Sequence, residues 1–453
     1  MTSGLPTREE SAELLRLATP IVAIQVGLML MGVVDTVMVG RVSPVDLAAV
    51  AIGNLYFFLV AIFGMGLLMS LDPLVSQAHG AGDGEALARA LQRGLVFAVV
   101  MGVLASLALM PAGAVLELFR QPPEVIPVAA EYARVAIIGV IPFYLFVVFR
   151  QTLQALGRVQ AILWILVAAN LANVGLNWVL VYGNLGAPAL GAVGSSWASS
   201  ATRIAMACGL AWVAWPVLRA YLRPWRAGVL ARRPIGRMLK LGAPIGAQVF
   251  LEFSAFGLAG LMAGWVGTVA LAGHQVALSL ASFTFMLPLG IGQATAVLVG
   301  RGVGRGDSAA ARRVAAGGML AGVGVMVLTA VVFLLAPVPL ARLFSADPTV
   351  VVLAAALLPI AGVFQIVDGI QVVSAAILRG VGDTRVPMLI NFAGFYVVAL
   401  PIGALLAFRA DLGARGIWWG LAGGLGVVAV LLGARVRHRL AGSLARVHID
   451  DDE

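Results

Sequence analysis

Three acidic side chains lie where a hydrophobic chain should have none. Asp35, Glu252 and Asp368 each interrupt a long apolar segment. A charged side chain at the centre of a bilayer costs roughly 2.5–3.5 kcal/mol on insertion scales, so intramembrane acids are candidates for function. A buried carboxylate can bind a proton or a monovalent cation, which prefers hard oxygen ligands, or it can pair with an organic cation that rests on aromatic rings. The chemistry to expect is therefore cation binding.

Amide side chains accompany these acids at helical spacing. Gln248, Glu252 and Phe256 recur every four residues and therefore share one helix face. The other amides either form a stripe of their own or flank an acid, and they are Asn170, Asn173, Asn177, Gln365 and Gln371. Such amides can bind a cation together with the acids, or they can hydrogen-bond across helices and stabilise the bundle. Residue spacing leaves both interpretations open.

Other ionisable residues of the apolar segments are better explained by structure. Asp72 lies shortly before the HGAGD turn (79–83), so we expect it to cap or anchor that loop. Arg203 is expected to pair with an acid or to extend towards the membrane surface, and the sequence assigns it no function. His79 and His274 lack metal-ligand spacing, and we predict a structural role for both.

Motifs for catalysis or nucleotide binding are absent from the sequence. GRGVGRG (300–306) resembles a phosphate-binding loop only loosely because no strand precedes it, and it predicts a turn between two helices. The sequence contains no intramembrane histidine cluster, Ser/Lys dyad or metal motif. We therefore expect neither an enzyme nor a resident cofactor, and no ATP-driven transport by this chain alone.

The composition predicts that membrane-spanning helices position these residues. Of the 453 residues, 61% are hydrophobic and 11% are charged, and the mean hydropathy is +1.00. About 20 apolar residues cross a bilayer as a helix. The predicted fold is an all-α polytopic membrane protein embedded in a lipid bilayer. Its twelve predicted spans are 14–40, 47–77, 91–115, 126–149, 159–183, 194–216, 239–264, 271–298, 314–337, 350–377, 386–408 and 416–435.

The sequence repeats itself at an offset of about 224 residues. Pro20 aligns with Pro244, and the HGAGD turn (79–83) aligns with VGRGD (303–307). Six helices in each repeat insert both halves in the same orientation, with a pseudo-twofold axis along the membrane normal. We therefore predict two parallel-repeat lobes of six helices each.

The domain boundaries and the membrane orientation follow from the repeat and the charges. We predict an N-lobe at 1–216, a cytoplasmic linker at 217–238 and a C-lobe at 239–453, whose short polar tail (450–453) is expected to be disordered. The formal charge is +9, and most basic residues lie at the termini and in the even-numbered connections. This positive-inside bias predicts that both termini are cytoplasmic. Nucleic-acid binding is not expected, because no basic domain stands outside the membrane.

Several motifs resemble the multidrug and toxic compound extrusion (MATE) family, and within it the bacterial NorM-like branch. The resemblance covers roughly residues 10–440. The segments that carry it are PIVAIQ…DTVMVGR (20–41), SQAHGAGD (76–83), APIGAQVFLEFSAF (243–256), ATAVLVGRGVGRGD (294–307) and FQIVDGIQVVSAAILRGVGDTRVP (364–387). It implies two lobes around a central V-shaped cavity, a place in the bacterial inner (cytoplasmic) membrane and a working monomer.

The resemblance also implies roles for individual residues. In the N-lobe, Asp35 matches the cavity acid, with Asn173 and Asn177 beside it. At one position the chain departs from the family pattern. Some relatives have a tyrosine in helix 8 as a ligand, and this chain has Phe285 there. In the C-lobe, Glu252 and Asp368 match acids that bind Na⁺, another coupling cation or the substrate, and Phe256 matches an aromatic neighbour. The secondary candidates, which come from helical spacing and from the departure at Phe285, are Asn170, Gln248, Phe285, Gln365 and Gln371.

The implied function is secondary antiport, in which an organic cation leaves the cell as Na⁺ or H⁺ enters. The main alternative is a flippase for phospholipids or lipid-linked oligosaccharides. Such a substrate carries phosphates and should meet arginine or lysine in the cavity, whereas the candidates here are acids and amides. A channel would leave the two-lobe repeat unexplained. We therefore expect small organic cations as substrates.

Overall fold

Helices make up the regular structure of the computed structural model, which describes residues 4–450. Within this range, twelve helices are long and apolar enough to cross a membrane, which confirms the predicted number. They are α1 (Arg8–Val39), α2 (Pro44–Gly80), α3 (Gly84–Leu109), α4 (Ile126–Ala155), α5 (Val159–Leu180), α6 (Gly191–Leu222), α7 (Arg232–Val266), α8 (Thr268–Gly304), α9 (Ser308–Leu335), α10 (Pro348–Gly380), α11 (Arg385–Phe408) and α12 (Gly413–Ala441).

Two of the long helices are not regular throughout. The regular α-helix of α2 ends at Leu68 and resumes at Leu71. Helix α11 contains a π-helical segment, Ala393–Ala399. Two further short α-helices, Ala112–Leu118 and Pro337–Arg342, follow α3 and α9, and a 3₁₀ helix, Asn184–Gly186, follows α5. The predicted linker 217–238 is helical at both ends, because α6 continues to Leu222 and α7 begins at Arg232.

Equivalent turns of the two repeats share one geometry. The side chain of Asp83 accepts a hydrogen bond from a backbone N–H of the first turn of α3, and Asp307 does the same at α9, each at 2.9 Å. The preceding glycines, Gly82 and Gly306, have φ values of 68° and 74°. Residues other than glycine rarely adopt this left-handed conformation. In both halves, a glycine therefore ends one helix and the following aspartate caps the next.

The chain divides into two compact units, which we name by their main segments. The 26–246 unit also contains 448–450, and the 247–447 unit also contains 4–25. The boundaries therefore fall inside α1 and inside α7, whereas the predicted lobe boundaries of 216 and 239 fall near the end of α6 and near the start of α7. The functional division of the chain into lobes stays a prediction.

Glycine allows close packing within the 26–246 unit. A Cβ atom on Gly53 would lie 2.4 Å from the ring of Tyr132, and one on Gly64 would lie 2.5 Å from the hydroxyl of Tyr144. Both tyrosines belong to α4 and are buried. The glycines of α2 thus provide the space that these two rings occupy, which brings the helices into close contact.

Asp72, which precedes the HGAGD turn, also interacts with a charged residue that is distant in sequence. Its side chain is 3% exposed, and the charge of Arg150, near the end of α4, acts on it. A buried acid with a buried basic neighbour avoids an uncompensated charge. The expectation that Asp72 caps or anchors the loop therefore describes only part of its role, because its charge also links α2 with α4.

The polar tail is ordered as far as it is described. Asp450 forms salt bridges with Arg93 and, at 3.0 Å, with Arg89, both in α3. Arg237 donates a hydrogen bond of 3.3 Å to the carbonyl of Ile449, which is buried. The predicted disorder of 450–453 is therefore wrong at residue 450, and 451–453 lie outside the described residues. The charge pattern missed these partners because they are distant in sequence.

Candidate functional site

The predicted binding residues fall into two groups, one in each compact unit. Asp35, Asn170, Asn173 and Asn177 belong to the 26–246 unit. The other candidates belong to the 247–447 unit, and they are Gln248, Glu252, Phe256, Phe285, Gln365, Asp368 and Gln371. We call the first group the Asp35 site and the second the Glu252–Asp368 site.

Two neutral donors hold the carboxylate of Asp35. The residue lies in the last turns of α1 and is 3% exposed. Asn177 of α5 donates a hydrogen bond of 2.7 Å to Oδ1, and Ser199 of α6 donates one of 2.5 Å to Oδ2. Hydrogen bonds to a charged acceptor contribute about 1.5–3 kcal/mol each. These donors position the carboxylate without neutralising it.

The asparagine stripe of α5 has two different roles. Asn177 binds Asp35, and Asn173 lies fully buried beside the same carboxylate. Among the described residues, no well-formed hydrogen bond reaches the Asn173 amide or the Asn177 Oδ1 atom. Asn170 instead donates to the carbonyls of Gly27, at 3.1 Å, and of Leu166 in its own helix. Asn170 thus joins α5 to α1, while the other two asparagines leave oxygen atoms next to Asp35.

A basic residue completes the surroundings of Asp35. The guanidinium carbon of Arg203, on α6, lies 3.9 Å from the ring centre of Phe57. Its charge interacts with that of Asp35. Tyr132 donates a hydrogen bond of 2.9 Å to Asn54. The sequence offered pairing with an acid as one of two expectations for Arg203 but did not identify which acid.

Two acids lie together in the second site. Asp368 is 4% exposed, and the charge of Glu252 acts on it. Gln371 donates a hydrogen bond of 3.4 Å to Oε2 of Glu252. Two like charges in a region of low dielectric constant repel each other strongly. The pair therefore favours a shared proton or a bound cation.

Buried amides of α10 and α11 have side-chain atoms without hydrogen-bond partners among the described residues. Gln365 is fully buried and hydrogen-bonds to the hydroxyl of Thr284 in α8. Within the described chain, the side-chain oxygens of Gln365 and Gln371 accept no hydrogen bond, and neither amide atom of the fully buried Asn391 has a partner. These are oxygen ligands of the type that a hard cation prefers. Gln248 and Phe285 are partly buried in α7 and α8.

Phe256 belongs to a chain of aromatic contacts. Its ring centre lies 6.0 Å from that of Phe364 and 5.9 Å from that of Phe395. Phe364 in turn lies 5.8 Å from Trp418, and His274 is at the same distance from that tryptophan. His274 is fully buried among these rings. The expectation that His274 is structural agrees with this packing, although it stays a prediction.

The π-helical segment positions another side chain against the part of α7 that contains Glu252. The hydroxyl of Tyr396 lies 2.6 Å from the Ser254 hydroxyl and 3.2 Å from the carbonyl of Leu251. The two α7 residues flank Glu252 in sequence. π-helical turns inside α-helices are frequent at functional sites. No hydropathy pattern signals such a turn, so sequence reasoning missed Tyr396.

Metal binding by acids and histidines alone has no support in the described chain. Among residues 4–450, no group of three or more His, Cys, Asp or Glu side chains lies together in a way that could hold a metal ion. A cation at Glu252 and Asp368 would therefore need oxygens from the amides or the backbone to complete its coordination.

Comparisons with known proteins agree with one another. The MatE family profile matches residues 20–179 and 244–405. The chain is 36% identical over 440 residues to the multidrug resistance protein NorM of Burkholderia vietnamiensis, covering 95% of this chain and 94% of the relative. It is 35% identical over 443 residues to the multidrug resistance protein PmpM of Pseudomonas aeruginosa, covering 96% and 93%.

Solved structures share the fold at lower sequence identity. The eukaryotic MATE transporter AtDTX14 has a TM-score of 0.87 at 22% identity, covering 95% of this chain and 99% of that one. A Pyrococcus furiosus transporter of the MOP superfamily, whose binding pocket has reversed polarity and suggests a different function, has a TM-score of 0.86 at 19% identity, covering 95% and 96%. These likenesses show the fold alone, so the side chains must identify the cargo.

Proposed function

Because the chain belongs to the multidrug and toxic compound extrusion (MATE) family, we propose that it exports organic cations in exchange for Na⁺ or H⁺. It is a transporter rather than an enzyme, a multi-pass protein of the inner membrane that acts on small molecules and requires no cofactor. The observation that carries the proposal is the Asp35 carboxylate, buried in a membrane-spanning helix and held only by neutral hydrogen-bond donors.

Neutralisation of buried carboxylates is the proposed coupling step. An ionised carboxylate attracts an organic cation, and a proton or Na⁺ that binds to the same carboxylate removes this attraction. The neutralised site is also less costly to bury, so the ion-loaded protein changes conformation more readily. Coupling then follows because the cargo and the ion compete for the acids.

The Glu252–Asp368 site has the features of a cation site. Two acids are adjacent, and Gln371 and Gln365 supply amide oxygens that no described donor occupies. Phe256 offers an aromatic face to an organic cation, an interaction of about 0.5–2 kcal/mol. We propose this site for the organic cation, with Na⁺ as the competing ion if Na⁺ drives the cycle.

A flippase for phosphate-bearing lipids remains the alternative, but the acids argue against it. A phosphate group needs arginine or lysine donors. Among the salt bridges of the described residues, none involves Glu252 or Asp368. A pair of uncompensated acids would repel a lipid phosphate, so the side chains favour a cationic cargo.

Orientation and assembly complete the proposal. Both termini are proposed to be cytoplasmic because basic residues are concentrated there and in the even-numbered connections. The protein is proposed to act as a monomer and not to bind nucleic acid. Each unit carries its own acid site, so no second copy is needed to complete either one.

Transport by purified protein in proteoliposomes tests the function. Uptake of the fluorescent cation ethidium is measured with a pH gradient or a Na⁺ gradient imposed separately. We expect transport under at least one gradient and its loss in Asp35→Asn and Asp368→Asn. Asp411→Asn is the matched control, because the same change occurs at an exposed position with φ of 54°, which asparagine tolerates. Normal transport by both acid variants would refute the mechanism.

A further inference from the structure

Two arginines at the end of α12 share one acid. Arg435 and Arg439 lie one turn apart on this helix, and both contact the carboxylate of Asp383, in the turn between α10 and α11. The Nε atom of Arg435 donates a hydrogen bond of 2.7 Å to Oδ2, and that of Arg439 lies 3.6 Å from the same oxygen. One carboxylate therefore orients two guanidinium groups while it offsets only one of their charges.

A third arginine reaches the same helix end from α9. Arg312 donates a hydrogen bond of 3.1 Å to the carbonyl of Gly442, the first residue after α12. Its Nε atom is buried, and within residues 4–450 no hydrogen-bond acceptor meets it. We call Arg312, Asp383, Arg435 and Arg439 the Arg439 cluster. Three basic side chains and one acidic side chain give this cluster a net charge of +2.

The register of these arginines on α12 is the second observation. The negative end of a helix dipole attracts basic side chains, which explains why arginines occur here but not where they point. Arg435 and Arg439 continue a stripe that begins with Val427 and Leu431, each member lying four residues after the previous one. Val427 is 40% exposed and Leu431 is 43% exposed. The stripe thus presents apolar side chains followed by guanidinium groups, the order of acyl chain and headgroup in a phospholipid.

The guanidinium groups of the cluster keep donors for a ligand. The contacts that Arg435 and Arg439 make with Asp383 use only their Nε atoms, and their side chains are 29% and 38% exposed. The terminal nitrogens of a guanidinium group bind a phosphate through two parallel hydrogen bonds. Basic pockets between membrane helices on the cytoplasmic side are typical sites for anionic lipid headgroups. The cluster lies at the end of α12 that leads to the C-terminus, which is proposed above to be cytoplasmic.

We propose that the Arg439 cluster binds the phosphate of an anionic phospholipid whose acyl chain lies along Val427 and Leu431. None of these residues belongs to either acid site, so the lipid is a bound partner of the transporter rather than its cargo. Inorganic phosphate offers the same charged group but has no acyl chain to cover the apolar part of the stripe. A zwitterionic lipid carries a positive group that the net charge of the cluster repels. Phosphatidylglycerol should therefore bind more tightly than phosphatidylcholine.

Native mass spectrometry of the full-length protein tests the proposal. Delipidated protein in detergent is titrated with phosphatidylglycerol or phosphatidylcholine, and the affinity of the most tightly bound lipid is measured. We expect phosphatidylglycerol to bind about five-fold more tightly or better, and inorganic phosphate at equal concentration not to displace it. Arg439→Gln and Arg312→Gln should each weaken phosphatidylglycerol binding by about five-fold, because each removes one basic charge near the membrane surface. Arg437→Gln is the matched control, since it makes the same change at an exposed position of α12 outside the stripe.

Thermal unfolding in the same detergent supplies a second readout. Phosphatidylglycerol should raise the unfolding midpoint of the wild type and of Arg437→Gln, and it should raise that of Arg439→Gln by less. Midpoints measured without lipid show whether each variant is folded, and the comparison of the two lipids on the wild type needs no variant. Equal affinities for the two lipids would overturn the proposal, and so would equal losses of binding in Arg437→Gln and Arg439→Gln. Displacement of the lipid by an equal concentration of inorganic phosphate would overturn it as well, because the site would then bind a free anion.

Discussion

At the scale of single residues, Ser199 supplies a hydrogen bond on which the Asp35 site depends. Removing its hydroxyl by Ser199→Ala leaves Oδ2 of a buried carboxylate without its donor. The loss of such a bond costs about 1.5–3 kcal/mol, so we expect transport to fall by at least ten-fold at unchanged expression. Initial rates of ethidium uptake in proteoliposomes measure the effect.

A serine one turn earlier provides the matched control. Ser195 lies on the same helix and is fully buried, but its hydroxyl has no hydrogen-bond partner among residues 4–450. Ser195→Ala therefore makes the same chemical change without removing a bond, and its transport should equal that of the wild type. Equal losses in the two variants would mean that Ser199 contributes only to packing.

The residue scale also shows how far sequence reasoning extends at the site. Buried acids stand out against an apolar chain. Helical spacing grouped Asn173 and Asn177 on one stripe, and the family resemblance implied their place beside Asp35, where the structure has them. The same spacing included Asn170, which binds backbone carbonyls instead. Ser199 went unnoticed because serine is common in membrane helices. Periodicity identifies a face of a helix but not the partner that the face meets.

At the scale of elements, the polar tail makes a pH-dependent contact outside the membrane. Burial raises the pKa of Asp450, but the hydrogen bonds and charges of Arg93 and Arg89 outweigh this effect, so its pKa lies below the usual value of 3.8. The contact should therefore be complete above about pH 4 and should weaken as the pH falls through the lowered pKa. Hydrogen exchange of a peptide containing Ile449 should show this protection at pH 6.

Neutralising the carboxylate tests the same contact without acid. In Asp450→Asn, we expect exchange in the tail peptide to rise at pH 6 while exchange in the transmembrane helices stays unchanged. Asp411→Asn makes the same substitution at an exposed loop and should leave the tail as protected as in the wild type. Protection that persists in Asp450→Asn would show that Ile449 alone holds the tail.

The π-helical segment of α11 yields a second prediction for an element. Tyr396→Phe removes the hydroxyl that meets Ser254 and the Leu251 carbonyl. A lost hydrogen bond of this kind costs about 0.5–1.5 kcal/mol, so the thermal midpoint should fall by a few degrees. Phe392→Leu provides a control for altered ring packing, because Phe392 stacks on Tyr396 without this hydrogen bond. Equal midpoints for Tyr396→Phe and wild type would exclude a role in holding α7.

Hydropathy predicted the twelve long helices but not their irregularities. The break at Leu68–Leu71, the π segment and the two short helices all occur within or beside apolar sequence. Hydropathy reports composition, whereas these features depend on which backbone groups find partners after the helices pack. Element number was therefore predictable, and local geometry was not.

At the scale of the whole molecule, the charge distribution predicts which loops face the cytoplasm. Cys208, the only cysteine, is first changed to serine, and single cysteines are then introduced at exposed loop positions, Glu124 and Arg305. In intact cells, a membrane-impermeant maleimide should label Glu124→Cys but not Arg305→Cys. Labelling of Arg305→Cys should appear once the cells are opened. The reverse pattern would contradict cytoplasmic termini.

The internal repeat was visible in the sequence because its turns are chemically demanding. Gly82–Asp83 and Gly306–Asp307 need a left-handed residue followed by a helix cap, and few residue types satisfy both requirements. The division into packing units was not visible, since its boundaries fall within α1 and α7, after residues 25 and 246. An alignment offset records ancestry, while a packing boundary depends on contacts made by the folded chain.

The ordered end of the chain affects how the protein should be handled. Ile449 is buried and Asp450 is bound to two arginines, so the last described residues are part of the fold. These contacts would be disturbed by an affinity tag fused directly after these residues. They would also be disturbed by a truncation that removes them. An affinity tag should therefore be separated from residue 450 by a spacer. The folding of proteins with differently placed tags should be compared before their transport activities are compared.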